Sequence, residues 1–225
     1  MNTWKNETEE ALALAHLPVI LFDEKEPFPV ELVSYTVFRE SGKSPSSPRM
    51  ITVGEKNRAL CIEYAVYFDY DIQHLYDLEH IWVYLDEEGK TVDCECSFHG
   101  MYLRAWGVSG EILGDDGRVR LYSQPGKHAM MPSPELFHLF LEFQESCGKT
   151  AGKDGILDHG FLKGFPEFTE EESRKTERYI KERYSFIPSE KYQPVNLAEK
   201  LLPWAETAAK IPGRIGVELE KIRNA

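Results

Sequence analysis

The apolar positions of this chain change their spacing partway along it. Up to about residue 132 they fall in short runs rich in β-branched and aromatic residues, the pattern of strands. "VELVSYTVFRE", "RALCIEYAVYFDYD", "EHIWVYLD", "TVDCECSFHG", "MYLRAW" and "RVRLYSQ" read as six of them. The second is apolar on nearly both faces. Asp86-Glu87-Glu88-Gly89-Lys90 is a turn signal, so residues 79–99 read as a hairpin, and "SGKSPSSP" and "GDDG" mark further turns. Ahead of the strands, "ETEEALALAHL" predicts a short helix with Asn6 as N-cap, broken by Pro18 and "FDEKEPFP". Beyond Pro132 the spacing turns helical. "SPELFHLFLEFQESCG" predicts a helix with Ser133 at its cap, Pro134 at its first position and Gly148 as its stop. Residues 148–168 are a glycine-rich loop. "TEEESRKTERYIKERYSF" opens with Thr169 and Glu172 in capping-box spacing. "NLAEKLLPWAETAAKIPGRIGVELEKIRNA" predicts two or three short helices punctuated by Pro203 and Pro212. The expected fold is one domain of class mainly β with added α. An antiparallel, jelly-roll-like β-sandwich over 18–132 precedes a mostly helical extension over 133–225.

Composition narrows the function classes. The 225 residues hold no 18-residue apolar run, so no transmembrane helix is expected. The acidic N-terminal stretch, interrupted by His16 and Pro18, does not read as a signal peptide, and a cytoplasmic protein is expected. A net charge of −12 argues against nucleic acid as a partner. None of the four cysteines forms a C-x-x-C pair; Cys94 and Cys96 share one strand face and read as buried thiols. The chain has no Rossmann fingerprint, no P-loop and no G-x-S-x-G elbow.

Candidate chemistry concentrates in Gln73–Asp86, "QHLYDLEHIWVYLD", where an apolar strand opens with His74, Asp77, Glu79 and His80. Alternation puts Glu79, Ile81, Val83 and Leu85 on one face, and Asp77 joins them if the strand starts early enough. Two carboxylates at the mouth of an apolar face require a cation, a base or water. His74 has the wrong parity and reaches the same point only if the chain bends near Leu75 and Tyr76. Hard oxygen ligands with an imidazole suit Mg²⁺, Ca²⁺, Mn²⁺ or Zn²⁺. Strand ends carrying His99, beside Gly100, and Lys127 with His128 can meet at the same rim. Solvated or salt-bridged carboxylates, and histidines serving only the structure, are the alternative.

The segment "HLYDLE" resembles the heart of the Gly-His-Arg-His-Asp-Trp-Glu motif of the necrosis-inducing proteins, sharing His, two residues, Asp, one residue, Glu. "YDLEHIWVYLD" is similar to a strand of the plant and fungal family named after vacuolar protein sorting sixty-two. "CSFHGMY" resembles a Ser-x-His-Gly segment of both families. "VRLYSQPGKHAMMPSP" and "EPFPVELV" resemble further segments of the vacuolar-sorting family. The resemblance covers about residues 20–135 and implies a β-sandwich. It also implies a divalent cation held by His74, Asp77 and Glu79, with His99 and His128 nearby. Leu78 stands where the motif has Trp, and Tyr76 where it has the second His. The toxin activity of the necrosis-inducing proteins is not expected here.

Two functions compete. In a metal-assisted hydrolase, His99 or His128 would serve as general base or acid, Lys127 would bind an anionic group, and the 148–168 loop with His159 could close over the site. In a non-catalytic module, the cation would bridge the protein to a small-molecule, glycan or lipid head-group ligand, with Tyr102, Trp106 and Tyr122 offering stacking surface. A third role, a cation merely tying strand ends together, would show as an ion fully enclosed by protein ligands.

Overall fold

A computed structural model of the chain describes residues 3–107, 112–140, 142–158, 160 and 162–225. The strands are β1 (Val19–Asp23), β2 (Leu32–Phe38), β3 (Gly42–Lys43), β4 (Met50–Ile51), β5 (Leu60–Tyr70), β6 (His74–Leu85), β7 (Thr91–Phe98), β8 (Met101–Arg104), β9 (Arg120–Ser123), β10 (Met130–Met131), β11 (Gly155–Ile156), β12 (Tyr192–Pro194) and β13 (Leu201–Pro203). The helices are α1 (Glu9–Ala15), α2 (Phe143–Ser146), α3 (Glu170–Tyr184) and α4 (Trp204–Arg223). The class is mainly β with added helices, as the apolar spacing predicts.

The larger sheet runs β13-β2-β5-β6-β7-β8, with β11 added to the start of β6; the smaller runs β10-β9-β1-β12. β2, β5, β6, β7 and β8 pair antiparallel. The pairings β1–β9, β13–β2 and β11–β6 are parallel, so the sheets are mixed. Side chains from both sheets interdigitate in one core: Ile20, Phe22 and Leu121 from the small sheet, Ile62, Tyr64, Val66, Phe68, Ile81 and Val83 from the large one. Burial of side chains of this size contributes roughly 1.5–3 kcal/mol each. β5 lies between β2 and β6, and its outer face is covered as well, which is why its sequence is apolar at nearly every position. There Cys61, Trp82 and Tyr84 pack with Phe38 and Ile51. The small β3–β4 hairpin and its "SPSSPR" connection therefore close over the outer face of the large sheet and carry Ser46 down onto it.

Local rules hold in places and yield in others. Thr169 and Glu172 form the expected capping box of α3. α1 is capped by Thr8, whose side chain accepts from Ala11 N–H, and not by Asn6. The segment after Ser133 is a 3₁₀ helix, Pro134–Leu139, followed by the single turn of α2. α4 is one helix of 20 residues with Pro212 inside it. An interior proline costs about 3 kcal/mol. Thr207, Ile211, Ile215, Leu219 and Ile222 form a continuous buried face at helical spacing, enough to hold the helix together across that break.

The 148–168 loop is stitched down at its start. Gly152 N–H donates to Ile72 O, Asp154 and Gly155 N–H both donate to Gln73 O, and β11 continues the contact beside His74 and Leu75. Gly152 has φ +79°, and a Cβ there would lie 2.0 Å from Glu177 O, so α3 can press against the loop only at a glycine. His159 lies outside the described residues.

Candidate functional site

The site forms where the large sheet splays apart. β7 pairs with β6 only over Ile81–Leu85, and β11 pairs with His74 and Leu75. The ladder on this edge of β6 is interrupted over residues 77–80, and a cavity of about 390 Å³ opens there. Ser97 bridges part of the gap, because its Oγ accepts the His80 N–H at 2.7 Å. The cavity is bounded by Ser46, Ser47, Pro48, His80 and Ser97 on one side and by Asp71, His74, Asp77 and Glu79 on the other; exposed Gly100, Met101 and Tyr102 stand at its mouth.

Of the described non-glycine residues with positive φ, three border this site: Tyr76 at +53°, His99 at +48° and His128 at +57°. Such backbone is uncommon and costs of order 1–3 kcal/mol per residue. At Tyr76 it answers the parity problem. The left-handed residue turns the chain between His74 and Asp77, and both line one cavity.

Asp71 anchors the acidic end. It is buried, accepts Gln73 N–H at 2.6 Å, and holds Lys127 Nζ at 2.8 and 2.7 Å from its two oxygens. His74 Nε2 lies 3.8 Å from it. Burial alone would raise its pKa, but His74, Lys127 and His128 outweigh that and hold it below the usual carboxylate value. Asp77 accepts the Leu78 N–H at 2.8 Å and faces His128 Nδ1 at 3.1 Å. Glu79 is buried, accepts from Ser97 Oγ, and has its pKa pushed up to about 8 by burial and then by the Asp77 carboxylate.

His128 is fully buried behind Asp77 and stacks flat on Phe68 at 3.6 Å. Burial disfavours its charged form, but Asp77 and Glu26 outweigh this and raise its pKa to about 10. His99 stands exposed at the rim, its Nε2 2.8 Å from Gln124 Oε1. Desolvation against the wall, and then the Lys127 ammonium, hold its pKa below the ordinary histidine value.

Asp71, Asp77 and His128 each offer a ligand atom within 4.8 Å of one another, so the group could hold a metal ion. That spacing suits the 2.0–2.6 Å bonds of Mg²⁺ or Ca²⁺, and the two carboxylates are the hard donors such ions prefer. The structure brings six of the residues singled out in the sequence around one cavity: His74, Asp77, Glu79, Lys127 and His99 line it, and His128 backs it. It does not place them alike, because Lys127 is committed to Asp71 and His128 faces two carboxylates. Of the aromatics, Tyr102 is at the mouth, whereas Tyr122 packs on Tyr192 and Trp106 against the core.

Sequence reading missed Asp71, Ser46, Glu63 and Glu26. The first precedes the strand by three residues, and its proximity to His74 at i+3 was the available signal. Ser46 donates to the buried Glu63 at 2.6 Å, accepts from His80 Nε2 at 3.0 Å, and shares Glu63 with Trp82 Nε1–H at 2.7 Å. No local pattern links residues 46, 63, 80 and 82.

No family model matches the sequence, and no curated protein matches it significantly. Among solved structures, the chain is similar to necrosis and ethylene inducing protein 2 from the causal agent of cocoa's witches' broom disease, at 15% identity and a TM-score of 0.36, over 56% of this chain and 68% of that one. It is also similar to NLPPya in complex with glucosamine, at 18% identity and a TM-score of 0.37, over 53% of this chain and 64% of that one, slightly under two thirds of its length. Among the described residues, no helix is long and apolar enough to cross a membrane.

Proposed function

We propose that the cavity binds a small hydroxylated ligand, such as a glycan unit, through a divalent cation held at its acidic end. The observation that carries this reading is that Asp71 and Asp77 offer ligand atoms within 4.8 Å of each other where Glu79 also lines an open cavity of about 390 Å³. Asp71, Asp77 and Glu79 would hold the ion, with His74 beside Asp71 as a nitrogen donor. Glu26, Asp71, Asp77 and, once it gives up its proton to an incoming ion, Glu79 bring four carboxylates, and Lys127 and His128 two cations, which leaves two negative charges for one divalent ion to cancel. A site neutral once loaded favours an uncharged ligand over a phosphate. Ser46, Ser47, Ser97 and His80 on the facing wall suit hydroxyl groups, and Tyr102 at the mouth, 44% exposed, offers a face for stacking. The four described cysteines are free and buried, as suits a cytoplasmic protein.

Metal-assisted hydrolysis is the second reading, favoured by His99. Its lowered pKa keeps the imidazole neutral at pH 7. Donation of Nε2–H to Gln124 leaves Nδ1 as the proton acceptor. A bound cation would supply polarisation of a ligand oxygen. His128, sealed behind Asp77, has no path to a substrate and serves instead to hold that carboxylate. Lys127, paired with Asp71, does the same for its partner rather than gripping an anion.

Calorimetric titration of neutral monosaccharides into Mn²⁺- or Ca²⁺-loaded protein tests the binding reading. Binding that disappears with EDTA supports it; sugar binding indifferent to EDTA overturns it. Turnover of nitrophenyl esters or glycosides that His99→Gln abolishes, with binding intact, would decide for hydrolysis.

A further inference from the structure

The Glu26-Pro27-Phe28-Pro29 segment lies in the connection between β1 and β2, far in sequence from β6, and the function above leaves it without a role. In the structure it is fastened to the turn that carries Lys127 and His128. The Glu26 side chain is buried, and its Oε2 accepts the Gly126 N–H at 2.7 Å. Oε1 accepts the Phe28 N–H at 3.2 Å and lies 3.5 Å from His128 Nε2. That nitrogen is buried and has no hydrogen-bond partner among the described residues, so the Glu26 carboxylate is its nearest compensation. Phe28 meets the same imidazole edge-on at 5.9 Å, opposite the flat contact with Phe68.

The turn itself has little freedom except through this anchor. Gln124 O accepts from both Lys127 and His128 N–H, and Gly126 O accepts from Ile72 N–H. Gly126 has φ +68°, and a Cβ there would lie 2.8 Å from Ile72 Cβ, so the turn passes close to the start of β6. From it, Lys127 reaches Asp71 and His128 reaches Asp77. One carboxylate thereby fixes the backbone that aims a partner at each of the two acidic residues.

We propose that Glu26 is a positioning residue of the cation site, acting through the Gly126 amide to hold Lys127 and His128 against Asp71 and Asp77. This rests on the cation reading given above. Outer partners of metal ligands are worth about 10–100-fold in affinity. The anchoring of the turn is geometric, so it depends on an acceptor at the right distance from the Gly126 amide, whereas the charge of Glu26 acts separately on His128 and on the ion.

Three variants, Glu26→Ala, Glu26→Asp and Glu26→Gln, are titrated with Mn²⁺ by calorimetry beside the wild type. Amide exchange at Gly126 is read in the metal-free proteins. Glu26→Ala and Glu26→Asp should weaken Mn²⁺ about tenfold and speed exchange at Gly126 by a similar factor. Glu26→Gln, which keeps the acceptor but not the charge, should leave Gly126 exchange within about threefold of wild type, so that this readout separates anchoring from charge. Wild-type affinity in Glu26→Asp overturns the inference, and so does an unchanged Gly126 exchange rate; Glu26→Asp serves even if Glu26→Ala does not fold. The exchange measurement needs no metal, so a protein that took up no Mn²⁺ would sink the cation reading while the anchoring of the turn was still decided.

Discussion

Replacing Asp77 by Asn together with Glu79 by Gln should weaken divalent-cation binding by at least about 100-fold, and replacing Glu79 by Gln alone should make the metal-free protein more stable. The two effects share one cause. Both substitutions keep the shape of the side chain, and an amide oxygen can still accept from Leu78 N–H and from Ser97 Oγ; the remaining donor, His128 Nδ1, loses its charged partner when Asp77 becomes Asn. What disappears is charge. In the metal-free protein burial, and then the Asp77 carboxylate, push the pKa of Glu79 up to about 8. In Glu79→Gln, removing a buried acid that costs free energy to ionise should gain about 1 kcal/mol against urea, the usual direction when a strained site is neutralised. Merely solvated carboxylates would behave otherwise: neither variant would then change stability or metal uptake beyond about 0.5 kcal/mol. Parallel titrations with Mn²⁺ and urea unfolding in EDTA check both halves.

The second large effect lies on the facing wall. Glu63→Leu should destabilise the fold by about 3 kcal/mol, because it strands two buried donors at once. Glu63 is 1% exposed and accepts from Ser46 Oγ at 2.6 Å and Trp82 Nε1 at 2.7 Å. A leucine fills the space and satisfies neither, at about 1–3 kcal/mol for each orphaned group. The urea midpoint should fall by about 1 M for a protein of this size. Glu63→Gln, with one acceptor and one donor, should lose roughly half as much. Equal midpoints for Glu63→Leu and wild type would show that the network does not tie the 44–49 connection to the sheet.

These two sites show how far the sequence could be read. The strands β5, β6 and β7 are legible because their burial is periodic or continuous, and the hairpin between β6 and β7 because its turn residues are distinctive. The bend at Tyr76 was posed as a condition by the parity of His74, and the positive φ there meets it. β11, β12 and β13 are each two or three residues long and join strands far away in sequence, so no local pattern announces them. Pro212 reads as a helix end and is not one, because packing of Ile211, Ile215 and Leu219 outweighs its local cost. The acidic half of the site was visible as a density of ligand-type residues. Its supports were not: Glu26, Ser46 and Glu63 reach it across long stretches of chain through single side-chain contacts, and nothing in their own neighbourhoods distinguishes them.

The most direct test of the cation site is elemental analysis of wild-type protein stripped with EDTA, then incubated with Mg²⁺, Ca²⁺, Mn²⁺ or Zn²⁺ and freed of excess ion. The expected result is about one divalent ion retained per chain, lost in the Asp77→Asn, Glu79→Gln variant. No retained ion with any of the four metals would contradict it, and would leave Asp71, Asp77 and Glu79 neutralised by Lys127, His128 and protons alone.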